Sequence, residues 1–186
     1  MLTTAAALRG ATKHYKTFAL GPVDLAVPAG SILGLIGENG AGKTTALKLL
    51  CGAIRPAGGS VELLGGSPAD PAIRARIGVV FEDAYFPDCF NAACVGKSMA
   101  GIFGKRWDTV KFDALVRRFE LDGSKKIKEY SRGMRMKLSF ATALAHDPEL
   151  LILDEATAGL DPVVRGELLV GLLASAALVL MNVENF

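Results

Sequence analysis

A glycine-rich octapeptide has the residue types and spacing to bind the phosphates of a nucleotide. Residues 37–44 fit the pattern G-x-x-x-x-G-K-[ST] at every specified position. Glycines allow the backbone to turn its N–H groups toward an anion, and a helix N-terminus adds partial positive charge. We expect Lys43 to contact the β- and γ-phosphates and Thr44 to hold Mg²⁺. The predicted triphosphate site comprises Gly37, Glu38, Asn39, Gly40, Ala41, Gly42, Lys43, Thr44 and Thr45.

Two consecutive carboxylates could supply the metal and acid–base chemistry that such a site needs. Asp154 and Glu155 end an apolar run that begins at residue 150. That run is typical of a parallel strand covered on both faces, and its end would deliver Asp154 to the Mg²⁺ shell beside Thr44. Glu155 could orient or deprotonate the attacking water. Alone, the pair could also be a strand end followed by a helix cap.

The flanking segments are those that must position a phosphate loop. Residues 31–36 predict a short strand, and residues 43–51 predict a helix with Leu47 and Leu50 on one side. This strand–loop–helix context disfavours the alternative of a glycine-rich turn without a ligand.

Two further regions surround this predicted core. Residues 1–30 alternate β-like stretches with turn signals, and residues 60–64 follow another turn, which together predict a small antiparallel sheet. Residues 87–128 are helical in character, and an apolar stripe there predicts a core face rather than a binding face. The stripe consists of Phe112, Leu115, Val116 and Phe119.

The segment before the next predicted helix makes a family resemblance specific. Residues 130–135 read Tyr-Ser-Arg-Gly-Met-Arg and resemble the Leu-Ser-Gly-Gly-Gln signature of ATP-binding-cassette (ABC) nucleotide-binding domains. The match is at Ser131 and Gly133, and the departures are at Tyr130, Arg132 and Met134. Residues 158–161, Ala-Gly-Leu-Asp, resemble the family's D-loop. Such signature variants resemble cassettes of exporters whose membrane domain is a separate chain.

The resemblance implies ATP and Mg²⁺ as ligands and a second cassette as partner, in a homo- or heterodimer. Ser131 is a good N-cap and Gly133 allows close backbone approach, so the helix start is an anion site. In the family, this site faces the γ-phosphate held by the other cassette. An ordinary capped helix is the alternative.

Two more positions correspond to weaker family elements. Tyr15 lies where the family's adenine-stacking aromatic occurs, although a tyrosine near a strand end can also serve in edge packing. Glu82 ends the segment 77–82 where the family usually has the glutamine of its Q-loop. Its carboxylate could act on Mg²⁺ or the catalytic water, but it adds negative charge and loses the amide donor. The alternative is a solvated acid at a strand end.

Composition limits the remaining possibilities. The 186 residues are half apolar and carry a formal net charge of only +2 without a basic run interleaved with aromatics, so nucleic-acid binding is not expected. Three cysteines at 51, 89 and 94 have no metal or redox spacing and suggest reduced cytosolic thiols. No secretory signal or membrane-spanning run is evident. We therefore expect a cytoplasmic protein that docks on an integral membrane partner.

The tail departs from the resemblance. The family continues past its D-loop, through a helix and a strand, to a histidine that contacts the γ-phosphate, but no histidine follows His146. Residues 166–174 could be the helix and 177–181 the strand, with Asn182 and Glu184 near the histidine position. We interpret the tail as truncated, frame-altered or lacking this switch. His14 and His146 are expected to be surface histidines.

The sequence thus predicts an α/β phosphate-loop NTPase with a mainly parallel sheet, an antiparallel β subdomain and a helical subdomain. We expect one domain with three parts: residues 1–86, the β subdomain and phosphate-loop core; 87–128, the helical part; and 129–186, the signature and the end of the core. The expected function is the ATPase subunit of an ABC transporter. The alternatives are a degenerate or regulatory cassette without efficient hydrolysis and a soluble ABC ATPase outside transport.

Overall fold

The computed structural model describes residues 4–82, 85–154 and 179–182 of the chain. Two sheets and two groups of helices make up this part. The strands are β1 (Thr4–His14), β2 (Ala19–Pro28), β3 (Ile32–Leu35), β4 (Gly58–Leu63), β5 (Ile77–Phe81), β6 (Leu150–Asp154) and β7 (Val179–Asn182). The helices are α1 (Lys43–Leu50), α2 (Pro71–Arg74), α3 (Ala92–Phe103), α4 (Thr109–Arg118) and α5 (Arg132–Leu144), with 3₁₀ turns at Gly104–Arg106 and Ile127–Glu129.

The predicted antiparallel sheet is confirmed, with strand order β2-β1-β4. Its central strand pairs on both sides, since Leu8 lies opposite Leu25 of β2 and opposite Val61 of β4. The sheet shares one apolar core with α1, in which Leu8, Leu47 and Leu50 are buried. This core fastens the helix that follows the phosphate loop to the sheet.

The second sheet is parallel and has the order β3-β7-β6-β5. Its strand β6 is buried at every position, as the apolar run from residue 150 predicts. Because parallel strands share one direction, the ends of β3, β6 and β7 meet at a single edge. Leu35 and Asp154 both lie opposite Asn182 at that edge.

The segment 87–128 contains α3 and α4. Asn91 caps α3 by accepting from the N–H of Cys94, and Asp108 caps α4 by accepting from the N–H of Lys111. Phe112, Val116 and Phe119 are buried and Leu115 packs against the same core, so the stripe is a core face, as predicted.

Helix α5 lies directly on β5 through its C-terminal half. A Cβ atom on Gly78 would be 2.6 Å from the carbonyl oxygen of Ala143 and 2.8 Å from Leu151 Cδ1, so this crossing has room only for glycine. Such a close approach fixes the height of the helix above the strand at this end.

The prediction that His146 is a surface residue is wrong. The side chain is 2% exposed, its ring stacks on Phe103 with centroids 4.1 Å apart, and its Nε2–H donates to the Ile77 carbonyl at 3.0 Å. Burial lowers the pKa of the imidazole, which favours the neutral ring. Both contacts come from elements distant in sequence, which explains why local pattern missed them. His14, in contrast, is exposed as predicted.

An ion-pair cluster joins the residues that directly precede β5 and β6. Arg76 donates to Glu149 through Nε at 2.7 Å and Nη2 at 2.6 Å, and Arg106 Nη2 lies 3.8 Å from the same carboxylate. The hydrogen bonds from Arg76 lower the pKa of Glu149.

This shift predicts a specific acid sensitivity. A carboxylate whose pKa is depressed in the fold contributes stability above its unfolded pKa, and this contribution is lost as pH falls through the folded pKa. We therefore expect the melting temperature to fall less between about pH 6 and about pH 3 in Arg76→Ala than in the wild type. Arg117→Ala, which removes an exposed charge on α4, is the control. Equal acid dependence in Arg76→Ala and wild type would contradict this role for the pair.

Candidate functional site

The parallel sheet places the phosphate loop and the acidic strand end side by side. The loop begins two residues after Leu35 ends β3, and Asp154 is the last residue of β6. Both strand ends are level with Asn182 of β7, which lies between them. This edge therefore gathers residues 37–45 and Asp154 into one candidate site.

The loop itself turns through two glycines in left-handed conformations. Gly40 has φ 84° and Gly42 has φ 93°, a region that L side chains rarely adopt. Gly42 is the N-cap residue of α1. Because glycine has no side chain, it cannot accept a hydrogen bond from the first backbone N–H groups of that helix. A helix start with this geometry suits an anionic ligand.

One residue of β2 and one residue of the loop before β2 pack against the phosphate loop. A Cβ atom on Gly42 would lie 2.6 Å from Leu20 Cδ1 and 3.0 Å from Phe18 Cζ. Phe18 also lines a cavity of about 310 Å³ whose other walls are residues 39–45. The loop thus opens on a concave surface built mostly from its own residues and one aromatic ring.

Lys43 closes the loop on itself. Its Nζ donates to the carbonyl oxygens of Gly37 at 2.6 Å and Glu38 at 3.1 Å. The ammonium group therefore lies over the same turn whose backbone surrounds the candidate phosphate site.

Thr44 and Asp154 meet across the sheet edge although 110 residues separate them in sequence. The Thr44 hydroxyl donates to Asp154 Oδ1 at 3.0 Å, and Asp154 is only 5% exposed. A hydroxyl oxygen and a carboxylate oxygen are among the hard oxygen ligands that Mg²⁺ prefers. The residues present therefore fit the expected metal.

The signature segment starts α5 as predicted. Ser131 is the N-cap, and its hydroxyl accepts from the N–H of Met134 at 3.2 Å. Gly133 lies in the first turn. In the part of the chain that the structure describes, no hydrogen bond joins Ser131 to residues 37–45.

The two remaining predicted side chains have different surroundings. Tyr15 is 47% exposed and stacks on Phe18 at 6.3 Å between centroids, which places it beside the aromatic wall of the loop cavity. Glu82 follows β5 and forms an ion pair with Arg132, the residue after Ser131.

Sequence reasoning missed two residues of this region, Phe18 and Arg132. An aromatic three residues after Tyr15 was the available signal for Phe18. The sequence shows that Arg132 replaces a glycine of the family's signature, but it does not show that Arg132 pairs with Glu82.

Several predicted features lie outside the described residues. These are Glu155, the D-loop at 158–161, the helix at 166–174 and Glu184. The strand expected at 177–181 is present as β7, with Asn182 as its last residue.

Comparisons with known proteins agree on one family. Residues 20–158 match the family model described as ABC transporter. The chain is 37% identical over 178 residues to the daunorubicin resistance ATP-binding protein DrrA3 of Streptomyces coeruleorubidus, covering 90% of this chain and 55% of that protein. It is 39% identical over 192 residues to the Nod factor export ATP-binding protein I of Cupriavidus pinatubonensis, covering 97% and 59% respectively. The chain thus spans little more than half the length of these curated relatives.

Solved structures show the same fold. A structure described as the ATP binding subunit of an ABC transporter superposes with a TM-score of 0.83 at 25% identity, covering 98% of this chain and 79% of that one. A putative ABC transporter ATP-binding protein from Pyrococcus furiosus gives 0.78 at 21% identity, covering 97% and 92%. Within the described ranges, no helix has the length and apolar character needed to cross a membrane.

Proposed function

This chain belongs to the ABC transporter family, and from that premise we propose that it is the ATP-binding subunit of a transporter. ATP-binding domains of this family are generally ATPases. We propose that this chain likewise hydrolyses ATP to ADP and phosphate, and that this reaction is coupled to movement of a partner membrane subunit.

The observation that carries this proposal is the contact between Thr44 and Asp154. It brings the end of the phosphate loop together with the acidic strand end at one edge of the sheet. A ligated Mg²⁺ would supply charge neutralisation for phosphate oxygens there. Thr44 and Asp154 are the residues that would hold it.

The chain's own groups then have separable roles. The loop amides and the α1 N-terminus bind the phosphates, and Lys43 exchanges the Gly37 and Glu38 carbonyls for the β- and γ-phosphates. Tyr15 and Phe18 offer an aromatic surface for the base.

For hydrolysis, we propose Glu155 as the group that accepts a proton from water. The water oxygen forms a bond to the γ-phosphorus while the bond from that phosphorus to the β–γ bridging oxygen breaks. ADP and phosphate are the products. Lys43 and the loop amides stabilise the negative charge that develops on the phosphate oxygens during this step.

The proposed partners are a second cassette and an integral membrane subunit. Ser131 and Gly133 start a helix of 13 residues, and such an N-terminus can bind the γ-phosphate of an ATP held by the other cassette. The relatives named for drug resistance and Nod factor export favour an exporter. We place the chain at the cytoplasmic face of the membrane on this basis.

A cassette that binds nucleotide without efficient hydrolysis is a second candidate. It is favoured by one observation, that a carboxylate paired with Arg132 occupies the Q-loop position. A glutamate at this position has no amide N–H to donate, unlike a glutamine.

Calorimetry with Mg²⁺ATP and measurement of phosphate release test the proposal together. The transporter ATPase should bind and turn over ATP and should co-purify with a membrane chain from its native host. Binding without turnover would favour the second candidate. Absence of ATP binding would contradict both.

A further inference from the structure

Helix α5 is held to β5 in two different ways at its two ends. At its C-terminal end, Gly78 lies directly beneath the Ala143 carbonyl, and His146 donates to Ile77. Near its N-terminal end, a cavity of about 400 Å³ separates the first turns of the helix from the strand end. Close packing against β5 therefore fixes the C-terminal end of the signature helix, whereas the N-terminal end packs on the helical segment through Met136 and faces the strand end across the cavity.

One ion pair spans this cavity. Glu82, directly after β5, pairs through Oε1 with Nη2 of Arg132, the first residue of α5. In the described parts of the chain, neither side chain has another ion pair or side-chain hydrogen bond. Glu82 stands where the family usually has the glutamine of its Q-loop, and Arg132 stands where the family has the first glycine of its signature. The departures are thus compensated by each other's charge.

We propose that Glu82 is a positioning residue that acts through Arg132. The pair sets the distance between β5 and the N-terminal turn of α5, and so the placement of Ser131 and Gly133 for association with a second cassette. This inference rests on the proposed function, because it assigns the pair to the ATP-driven dimer. It differs from a role at Mg²⁺, which would require the Glu82 carboxylate itself to reach the metal or the water.

The expected effect follows from the exposure of the pair. The Arg132 and Glu82 side chains are 60% and 42% exposed, so solvent screens their attraction. Coupling between such groups corresponds to roughly a two- to fivefold change in an equilibrium constant. The pair is therefore strong enough to bias the helix position, but too weak to determine the fold.

A double-mutant cycle tests this assignment. Light scattering with Mg²⁺ and a non-hydrolysable ATP analogue gives the protein concentration for half-maximal association. We expect Glu82→Ala and Arg132→Ala each to raise that concentration about two- to fivefold, and the double variant to raise it no further. Exchanging the two residues, as Glu82→Arg with Arg132→Glu, should restore association to within about twofold of wild type.

Matched variants distinguish the positioning effect of the Glu82–Arg132 pair from a nonspecific loss of stability or of surface charge. Arg135→Ala removes a neighbouring charge that lines the same cavity, and its effect should multiply with that of Glu82→Ala. Glu82→Gln keeps the size of the side chain and loses its charge, so it should match Glu82→Ala. Urea unfolding without nucleotide confirms that each variant is folded, and calorimetry should give unchanged ATP affinity for the separate chain.

The outcomes are distinguishable from those of the proposed function. If wild type binds ATP and associates, but the two alanine effects multiply and the exchange gives no rescue, only this inference is overturned. A Glu82 that acts at the metal would give that result, because the exchange places a cation there. If wild type binds no ATP, the proposed function fails, and the positioning role fails with it.

Discussion

Replacing Lys43 with alanine is expected to weaken binding of Mg²⁺ATP by roughly ten- to a hundredfold. A charge-assisted contact contributes about 1.5 to 3 kcal/mol, and the ammonium group of Lys43 is already aligned on the phosphate loop through the Gly37 and Glu38 carbonyls. Isothermal titration calorimetry with Mg²⁺ATP measures the change directly.

Lys48→Ala is the matched control for this experiment. It removes the same charge from the last turn of the same helix, where Nζ lies 5.3 Å from the centroid of the Phe81 ring. We expect near wild-type ATP affinity from this variant. Equal affinity of wild type and Lys43→Ala would exclude the loop as the nucleotide site.

Replacing Glu155 with glutamine is expected to slow ATP hydrolysis by on the order of 10² to 10⁴ while ATP binding persists. Glutamine keeps the size of the side chain and can still accept a hydrogen bond, but it cannot take the proton from water. Because ATP then survives, dimers held by ATP should accumulate. Steady-state phosphate release and light scattering with ATP report the two effects.

The control for Glu155→Gln is Glu62→Gln. Glu62 is a carboxylate of the antiparallel sheet that pairs with Arg9 at 3.1 Å. It should leave phosphate release unchanged. Turnover in Glu155→Gln equal to that of wild type would remove Glu155 from the role of base.

Prediction from sequence succeeded where local pattern determines structure. The loop at residues 37–44, its flanking strand and α1 follow from glycine spacing and apolar periodicity, and β6 follows from a continuous apolar run. The N-cap at Ser131 was also predictable, because a serine before a helical segment satisfies a backbone N–H that the helix cannot.

Prediction failed where the partner of a side chain is distant in the chain. His146 was expected at the surface because it does not lie on the segment where the family's histidine occurs. Its burial depends on Ile77 and Phe103, which the fold brings to it. The same applies to Glu82 and Arg132, since 50 residues separate them. A single sequence identifies each charge but not which two will meet.

Strand β7 has a consequence for the order in which the protein is made. It lies between β3 and β6, yet residues 179–182 are the last described part of the chain to leave the ribosome. The antiparallel sheet needs only residues 4–63 and can assemble early. A nascent chain that has exposed 154 residues contains Lys43, Thr44 and Asp154, but no strand yet bridges β3 to β6. The sheet edge that carries the candidate site therefore cannot be completed before residues 179–182 have been synthesised.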